Sequence, residues 1–280
     1  MIICGTILEV NRYLDSFRKQ GKVIGFVPTM GALHEGHLSL LEECKKQASI
    51  SVCSIFVNPT QFNDKKDLER YPRTPEKDCK MLEEAGCDMV FMPSVEEMYP
   101  VPDLRQFDFG GIDKVLDGAH RPGHFNGVGQ VVSKLFDITQ PNKAFFGQKD
   151  YQQVLIVKEL VRQLGMKVEI VPCPILREPD GLAMSSRNML LTPEERKAAS
   201  LIPQIMKMAK EEFGTMPLDV LKKKLAEKLK AEPLLKPDYL EFCDGATLQS
   251  VEEPTAEQKI VFLVAIFSGR IRLIDNVLVN

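Results

Sequence analysis

The chain has 280 residues, 44% of them hydrophobic, and its 36 Lys and Arg against 39 Asp and Glu leave a formal charge of −3. That length supports one large or two modest domains with a substantial core, while the slight acidity excludes a surface built to neutralise many phosphates, so no nucleic-acid partner is expected. The seven cysteines are scattered and form no C-x-x-C pair, no basic and apolar leader opens the chain, and the longest apolar run (260–267) is too short for a bilayer; the expectation is a cytoplasmic protein with reduced thiols and no membrane partner.

Along the chain, short β-branched or aromatic runs alternate with helical patterns. Residues 23–27 read as a strand, 38–48 as a helix, 51–57 as a strand, 76–85 as a helix and 89–92 as a strand. A helix over 128–138, a strand at 143–146, a helix over 151–164 and a strand at 168–171 complete the series. Such alternation predicts crossover units and an α/β fold with a doubly wound, mainly parallel sheet. Strands apolar on both faces, as at 23–27, fit a sheet covered by helices on both sides. The connections 58–73 and 94–123 are long for a compact domain, and long loops are often functional.

The pattern then changes. Pro172, Pro174 and Pro179-Asp180-Gly181 are breaker signals that mark a boundary or hinge. Thr192-Pro193-Glu194-Glu195 is a capping box with proline at the first helical position, so a helix starts there. Leu218, Leu221, Leu225 and Leu229 give a second helix, and strands follow at 239–243, 260–267 and 271–279. The chain therefore divides into a sheet domain over 1–176 and a small α+β domain over 177–280.

The most informative segment is Pro28-Thr29-Met30-Gly31-Ala32-Leu33-His34-Glu35-Gly36-His37, at a strand-to-helix junction. A zinc site of the H-E-x-x-H kind needs ligands four residues apart, and here the spacing is three. Three readings stay open: metal ligation, which this spacing disfavours; a pair of capping or surface histidines; and phosphate contact at the positive N-terminus of a helix. Gly147-Gln148-Lys149-Asp150 also lies between a strand and a helix, so both clusters fall at the C-terminal edge of the sheet, where such folds bind ligands. Lys149 supplies a point charge there, and Gln153, four residues on, shares its helix face. Met184-Ser185-Ser186-Arg187-Asn188, at the hinge, offers hydroxyls and a guanidinium that could close over terminal phosphates; an ordinary polar loop is the alternative. Asn58-Pro59-Thr60-Gln61-Phe62 places amides at a strand end to orient a small polar substrate, with Phe62 and Met30 as apolar walls. Gly127-Val128-Gly129-Gln130 lacks the third glycine of a dinucleotide fingerprint, and His120 and His124 are explained as well by a structured loop as by a site.

Together, PTMGALHEGH at 28–37, FVNPTQF at 56–62, HRPGHFNGV at 120–128, FFGQKDYQQ at 145–153, LAMSSRN at 182–188 and Arg272-Leu273-Ile274-Asp275-Asn276 resemble the pantoate–β-alanine ligase family across nearly the whole chain. The histidine motif alone is similar to that of the wider Rossmann-like, HxGH nucleotidyl-transferring proteins. The resemblance implies ligation of pantoate to β-alanine with ATP, through a pantoyl adenylate, to give pantothenate, AMP and pyrophosphate. It implies ATP contacts from Met30, Gly31, Ala32, Leu33, His34, Glu35, Gly36, His37, Gly147, Gln148, Lys149, Asp150, Leu176, Met184, Ser185, Ser186 and Arg187. Gln61 would bind pantoate and later β-alanine, Gln153 would bind pantoate, and His37 matches the catalytic histidine. Magnesium would accompany ATP, no metal ligands are assigned, and a homodimer is implied, with the second domain as a lid. A nucleotidyltransferase, a tRNA-charging fragment and a non-catalytic ATP sensor are the competing functions; only the ligase needs an amine acceptor.

Overall fold

The structure, a computed structural model, describes residues 1–62 and 65–280. It forms two compact units, Met1–Gln148 with Gln152–Pro174, and Lys149–Tyr151 with Ile175–Asn280. No helix of the described residues is long and apolar enough to cross a membrane.

In the first unit the chain runs β1 (Ile2–Cys4), α1 (Ile7–Lys19), β2 (Ile24–Thr29), α2 (Glu35–Gln47), β3 (Ile50–Ile55), α3 (Lys65–Arg70), α4 (Pro75–Glu84), β4 (Met89–Phe91), α5 (Val95–Met98), α6 (Asp117–His120), α7 (His124–Thr139), β5 (Lys143–Gly147), α8 (Tyr151–Gln163) and β6 (Glu169–Cys173). The six strands form one parallel sheet in the order β1-β4-β3-β2-β5-β6. From β2 the chain first builds outward through β3 and β4, and later fills the other side with β5 and β6. The strand order thus reverses between β2 and β5, and a doubly wound sheet opens its ligand crevice beyond the C-terminal ends of such strands.

Successive strand residues point to opposite faces, and both faces are apolar. Ile24, Phe26, Val52, Met89, Phe91, Ala144 and Phe146 pack with Val10 and Leu14 of α1, Val128 and Val132 of α7, and Val157 and Leu160 of α8. Val27, Cys53, Ile55, Val90 and Phe145 pack instead with Leu40, Leu41 and Cys44 of α2 and Leu82 of α4. Each fully buried side chain of this size is worth roughly 1.5–3 kcal/mol over its exposed state.

Three details differ from the sequence expectation. The edge strand β1 and helix α1 open the sheet domain, and α1 is capped by Thr6 with Glu9 reaching back, a T-x-x-E box. Helix α2 starts at Glu35 rather than near residue 38. The long connections hold short elements: 3₁₀ turns at Pro59–Gln61 and Ile112–Lys114 besides α3, α5 and α6, while residues 63–64 lie outside the described residues.

The second unit contains α9 (Pro193–Ala199), α10 (Leu201–Glu212), α11 (Leu218–Lys230) and the antiparallel sheet β7 (Leu235–Asp244), β8 (Ile260–Ser268), β9 (Ile271–Leu278), with β8 central. Thr192 and Glu195 form the expected capping box. The sequence pattern shows two helices and the structure has three. Pro203 has no N–H to give the carbonyl four residues back, so the helix from 193 ends and restarts at Ser200. Ile202, Ile205 and Ala209 of α10 and the four leucines of α11 cover Phe242, Phe262, Val264 and Ile266 of the sheet.

Candidate active site

Past β2 the chain makes a tight turn through Gly31 (φ 79°) and Ala32 (φ 50°). A left-handed alanine is costly, and a buried carboxylate holds it. Asp78 of α4, 1% exposed, accepts the N–H of Ala32 at 2.9 Å and of Leu33 at 2.8 Å, and the Thr74 hydroxyl at 3.0 Å. A Cβ at residue 31 would meet that carboxylate at 3.0 Å, so the turn requires glycine in both space and φ.

His34 follows as the N-cap of α2, and the two histidines cap each other's backbone. The Gly36 N–H donates to His34 Nδ1 at 3.1 Å and the His34 N–H donates to His37 Nδ1 at 3.3 Å, with ring centroids 4.1 Å apart. The capping alternative is therefore realised in geometry. His34 stands outside the helix, so the pair does not share a helix face; it forms a capping box made of imidazoles. Because each Nδ1 accepts an amide hydrogen, the ring proton sits on Nε2. Both rings are N–H donors at a positive helix end.

After β3, Asn58 organises the next cluster. Its Nδ2 donates to Thr60 Oγ1 (3.0 Å), Gln61 Oε1 (3.2 Å) and the Gly127 carbonyl (3.1 Å), while its Oδ1 accepts from the Tyr99 hydroxyl at 2.8 Å. Burial pushes the Tyr99 phenol up, so it remains a donor. Gln61, 8% exposed, turns its Nε2 toward Met30 Sδ at 3.1 Å, and Phe62 packs edge-on against Tyr71. His124, left open in sequence, is buried with Nδ1 at 2.7 Å from the Gln61 carbonyl and Nε2 at 3.2 Å from Arg121 Nη1. A carbonyl only accepts and a guanidinium only donates, so Nδ1 carries the proton here, the opposite tautomer to the His34 pair.

At the end of β5, Gly147 and Gln148 are half-buried. Lys149 lies in a 3₁₀ turn, Gln148–Asp150, ahead of α8, the helix that carries Gln153. Gln152, not Gln153, is the buried amide: it donates to the carbonyls of Ile112 and Val115 and accepts the Asp117 N–H.

Within the second unit, Asn276 donates to the Lys149 carbonyl at 2.9 Å. The neighbouring Asp275 binds Arg177 through two bonds of 2.7 and 2.9 Å. Arg177 pairs across to Ala183 in an isolated bridge, and the Leu176 carbonyl accepts the Met184 N–H at 3.0 Å. Ser185 caps the 3₁₀ turn Ser186–Leu190 by accepting the Arg187 N–H at 3.2 Å; Ser186 is buried and Arg187 half-buried. Sequence reasoning misses Asp78, Gln152 and the roles of Asp275 and Asn276. The run Thr74-Pro75-Glu76-Lys77-Asp78 reads only as an ordinary acidic helix start.

A family profile described as pantoate-beta-alanine ligase matches residues 2–278. The pantothenate synthetase of Porphyromonas gingivalis is 48% identical over 277 residues, covering 99% of this chain and 99% of that one. Among solved structures, the pantothenate synthetase of Thermus thermophilus superposes with a TM-score of 0.93 at 41% identity, over 100% of this chain and 99% of that one. The pantoate-beta-alanine ligase of Francisella tularensis, complexed with beta-gamma ATP and beta-alanine, gives a TM-score of 0.83 at 37% identity, covering 99% and 97%.

Proposed function

The chain belongs to the pantoate–β-alanine ligase family, and from that premise we propose that it activates pantoate as an acyl adenylate before β-alanine attacks. The observation that carries this reading is the reciprocal histidine cap. It fixes two Nε2–H donors at the N-terminus of α2, past β2, where the sheet's strand order reverses.

The pantoate carboxylate is ionised at neutral pH, so its attack on the α-phosphorus needs no general base. An oxygen–phosphorus bond forms, the bond to the bridging oxygen breaks, and pyrophosphate leaves with the electron pair. The demand is for preorganised positive groups where charge grows. His34 and His37 meet it as neutral donors: a doubly protonated ring would turn Nδ1–H against the amide that it now accepts. His37 thus hydrogen-bonds the reacting phosphate rather than releasing a proton to it. The same reading assigns ATP contacts to residues 30–37, Gly147, Gln148, Lys149, Asp150, Leu176, Met184, Ser185, Ser186 and Arg187. The Ala32 and Leu33 N–H groups are already given to Asp78, so these two residues contribute shape. Magnesium arrives with ATP as part of the substrate and shares the phosphate charge.

Gln61 is assigned to pantoate and then to β-alanine, and Gln153 to pantoate; Asn58 holds the side-chain oxygen Oε1 of Gln61, so the Gln61 N–H₂ is the end presented. In the second step the uncharged amine attacks the acyl carbon, AMP departs, and the amide forms with loss of the amine proton. A homodimer is proposed on the family resemblance, with light scattering as its check. The decisive test is exchange of labelled pyrophosphate into ATP without β-alanine. Exchange that requires pantoate, followed by AMP release on adding β-alanine, supports the adenylate; ADP and orthophosphate as products overturn it.

A further inference from the structure

We propose that Asp78 is a positioning residue for the histidine pair, a role that rests on the reading above. Its carboxylate lies on α4, 1% exposed, and grips the turn on a different segment of chain through two consecutive amides, Ala32 and Leu33, at 2.9 and 2.8 Å. Those amides converge because Gly31 and Ala32 both take positive φ, 79° and 50°. Successive N–H groups turned inward in this way make a concavity suited to an anion. Here the anion is a side chain of the protein itself, so the concavity is a joint rather than a phosphate site.

His34 is the very next residue. Its backbone N–H donates to His37 Nδ1, and its ring receives the Gly36 N–H. Any displacement of residues 32–33 therefore reaches both imidazoles through one peptide link. The Thr74 hydroxyl, at 3.0 Å, gives the carboxylate a third donor and fixes it relative to the start of α4. Asparagine would keep the shape but present an N–H₂ to one of two amide donors, and a donor facing a donor opens the joint.

The test is Asp78→Asn, assayed by pantoate-dependent pyrophosphate exchange on protein shown to be folded, together with amide hydrogen exchange at Ala32 and Leu33. The expected result is a loss of about 10- to 100-fold in kcat/KM for ATP, with the KM for pantoate within about two-fold of wild type. The Ala32 and Leu33 amides should exchange at least about tenfold faster while Phe26 and Val52 stay protected. A merely stabilising carboxylate would lower the melting temperature and leave the kinetics of the folded fraction unchanged; that outcome overturns the proposal. Freely exchanging Ala32 and Leu33 amides in the wild-type enzyme overturn it too, whether or not the variant folds. Loss of pantoate dependence in the wild type would instead sink the functional reading, and the positioning role with it.

Discussion

The imidazole of His124 donates from Nδ1 to the main-chain carbonyl of Gln61 at 2.7 Å, across 63 residues of sequence. It ties the first turn of α7 to the 3₁₀ turn that carries the substrate-assigned amide. Asn58 pins the same turn from its side chain, and Gly127 admits it from α7, so Gln61 is held from three directions.

Replacing His124 with alanine should therefore do two separable things. The Gln61 carbonyl loses its buried donor, a cost of about 1–3 kcal/mol measured by urea unfolding. Gln61 also gains freedom, so the KM for pantoate should rise while the KM for ATP changes little. Unchanged pantoate kinetics in a folded variant would remove the link between α7 and substrate placement.

Gly127→Ala tests the same joint from the opposite side. A Cβ at that position would sit 2.4 Å from the Thr60 carbonyl oxygen and 2.7 Å from Gln61 Cα, both backbone. No rotamer change relieves a backbone clash, so the 3₁₀ turn must shift, at a cost of roughly 1–3 kcal/mol. Pantoate binding should weaken more than ATP binding, read from steady-state kinetics with each substrate varied in turn.

These couplings show what the sequence carries and what it withholds. The four inner strands, β2 to β5, announce themselves as apolar runs because both their faces are buried. Strand β1 does not: it is three residues long and exposes Ile2 and Ile3 at the sheet edge. The histidine spacing places the pair at a strand-to-helix junction, yet whether His34 is a helical residue or the cap depends on backbone φ. Asp78 is illegible for another reason. In sequence a carboxylate at the start of a helix is satisfied by water or by its own helix end; only the fold shows it turned inward onto amides 45 residues earlier. The Arg272–Asn276 motif is recognisable, but Asp275 and Asn276 act on Arg177 and Lys149, contacts that no spacing predicts.

Asp275 is buried, its side chain 1% exposed, and its partner Arg177 is 30% exposed. Removing one member of a buried pair leaves the other uncompensated, typically costing about 3–5 kcal/mol, discounted here because Arg177 reaches solvent. Asp275→Ala should thus lower the urea midpoint strongly. Asn276→Ala should cost only about 1 kcal/mol, one hydrogen bond, but should raise the KM for ATP by freeing the Lys149 backbone. An Asn276→Ala enzyme with wild-type ATP kinetics would exclude that anchoring role.

His37 has two duties that substitutions can separate. His37→Ala loses both the cap and the phosphate donor, and turnover should fall about 10²–10³-fold. Glutamine at the third helical position can accept the N-cap amide as the second half of a capping box. His37→Gln should thus recover most of the roughly 1 kcal/mol of lost cap stability while turnover stays low. Recovery of turnover along with stability would mean that capping, not donation to phosphate, is what the histidine supplies.

The thiols predict how stability depends on alkaline pH. Burial pushes Cys44 and Cys243 up to about 12 and Cys87 and Cys173 to about 11, and Cys53 is raised well above its ordinary value. In the unfolded chain each thiol titrates near about 8.5. Above that pH the native state holds protons that the unfolded state has released, so the slope of unfolding free energy with pH is negative. The stabilisation is complete below about pH 8 and is lost as pH rises toward 11–12, by up to about 1.4 kcal/mol per pH unit for each thiol. Urea melts from pH 7 to 10.5 on wild type and Cys44→Ala check this: alanine shifts the whole curve by a constant cavity cost, but its alkaline slope should be shallower. The same burial means that a thiol reagent at pH 8 should modify the six buried cysteines of the native protein slowly, the partly exposed Cys79 sooner, and all seven promptly in urea. Identical slopes in the two proteins would show that Cys44 does not titrate differently on folding.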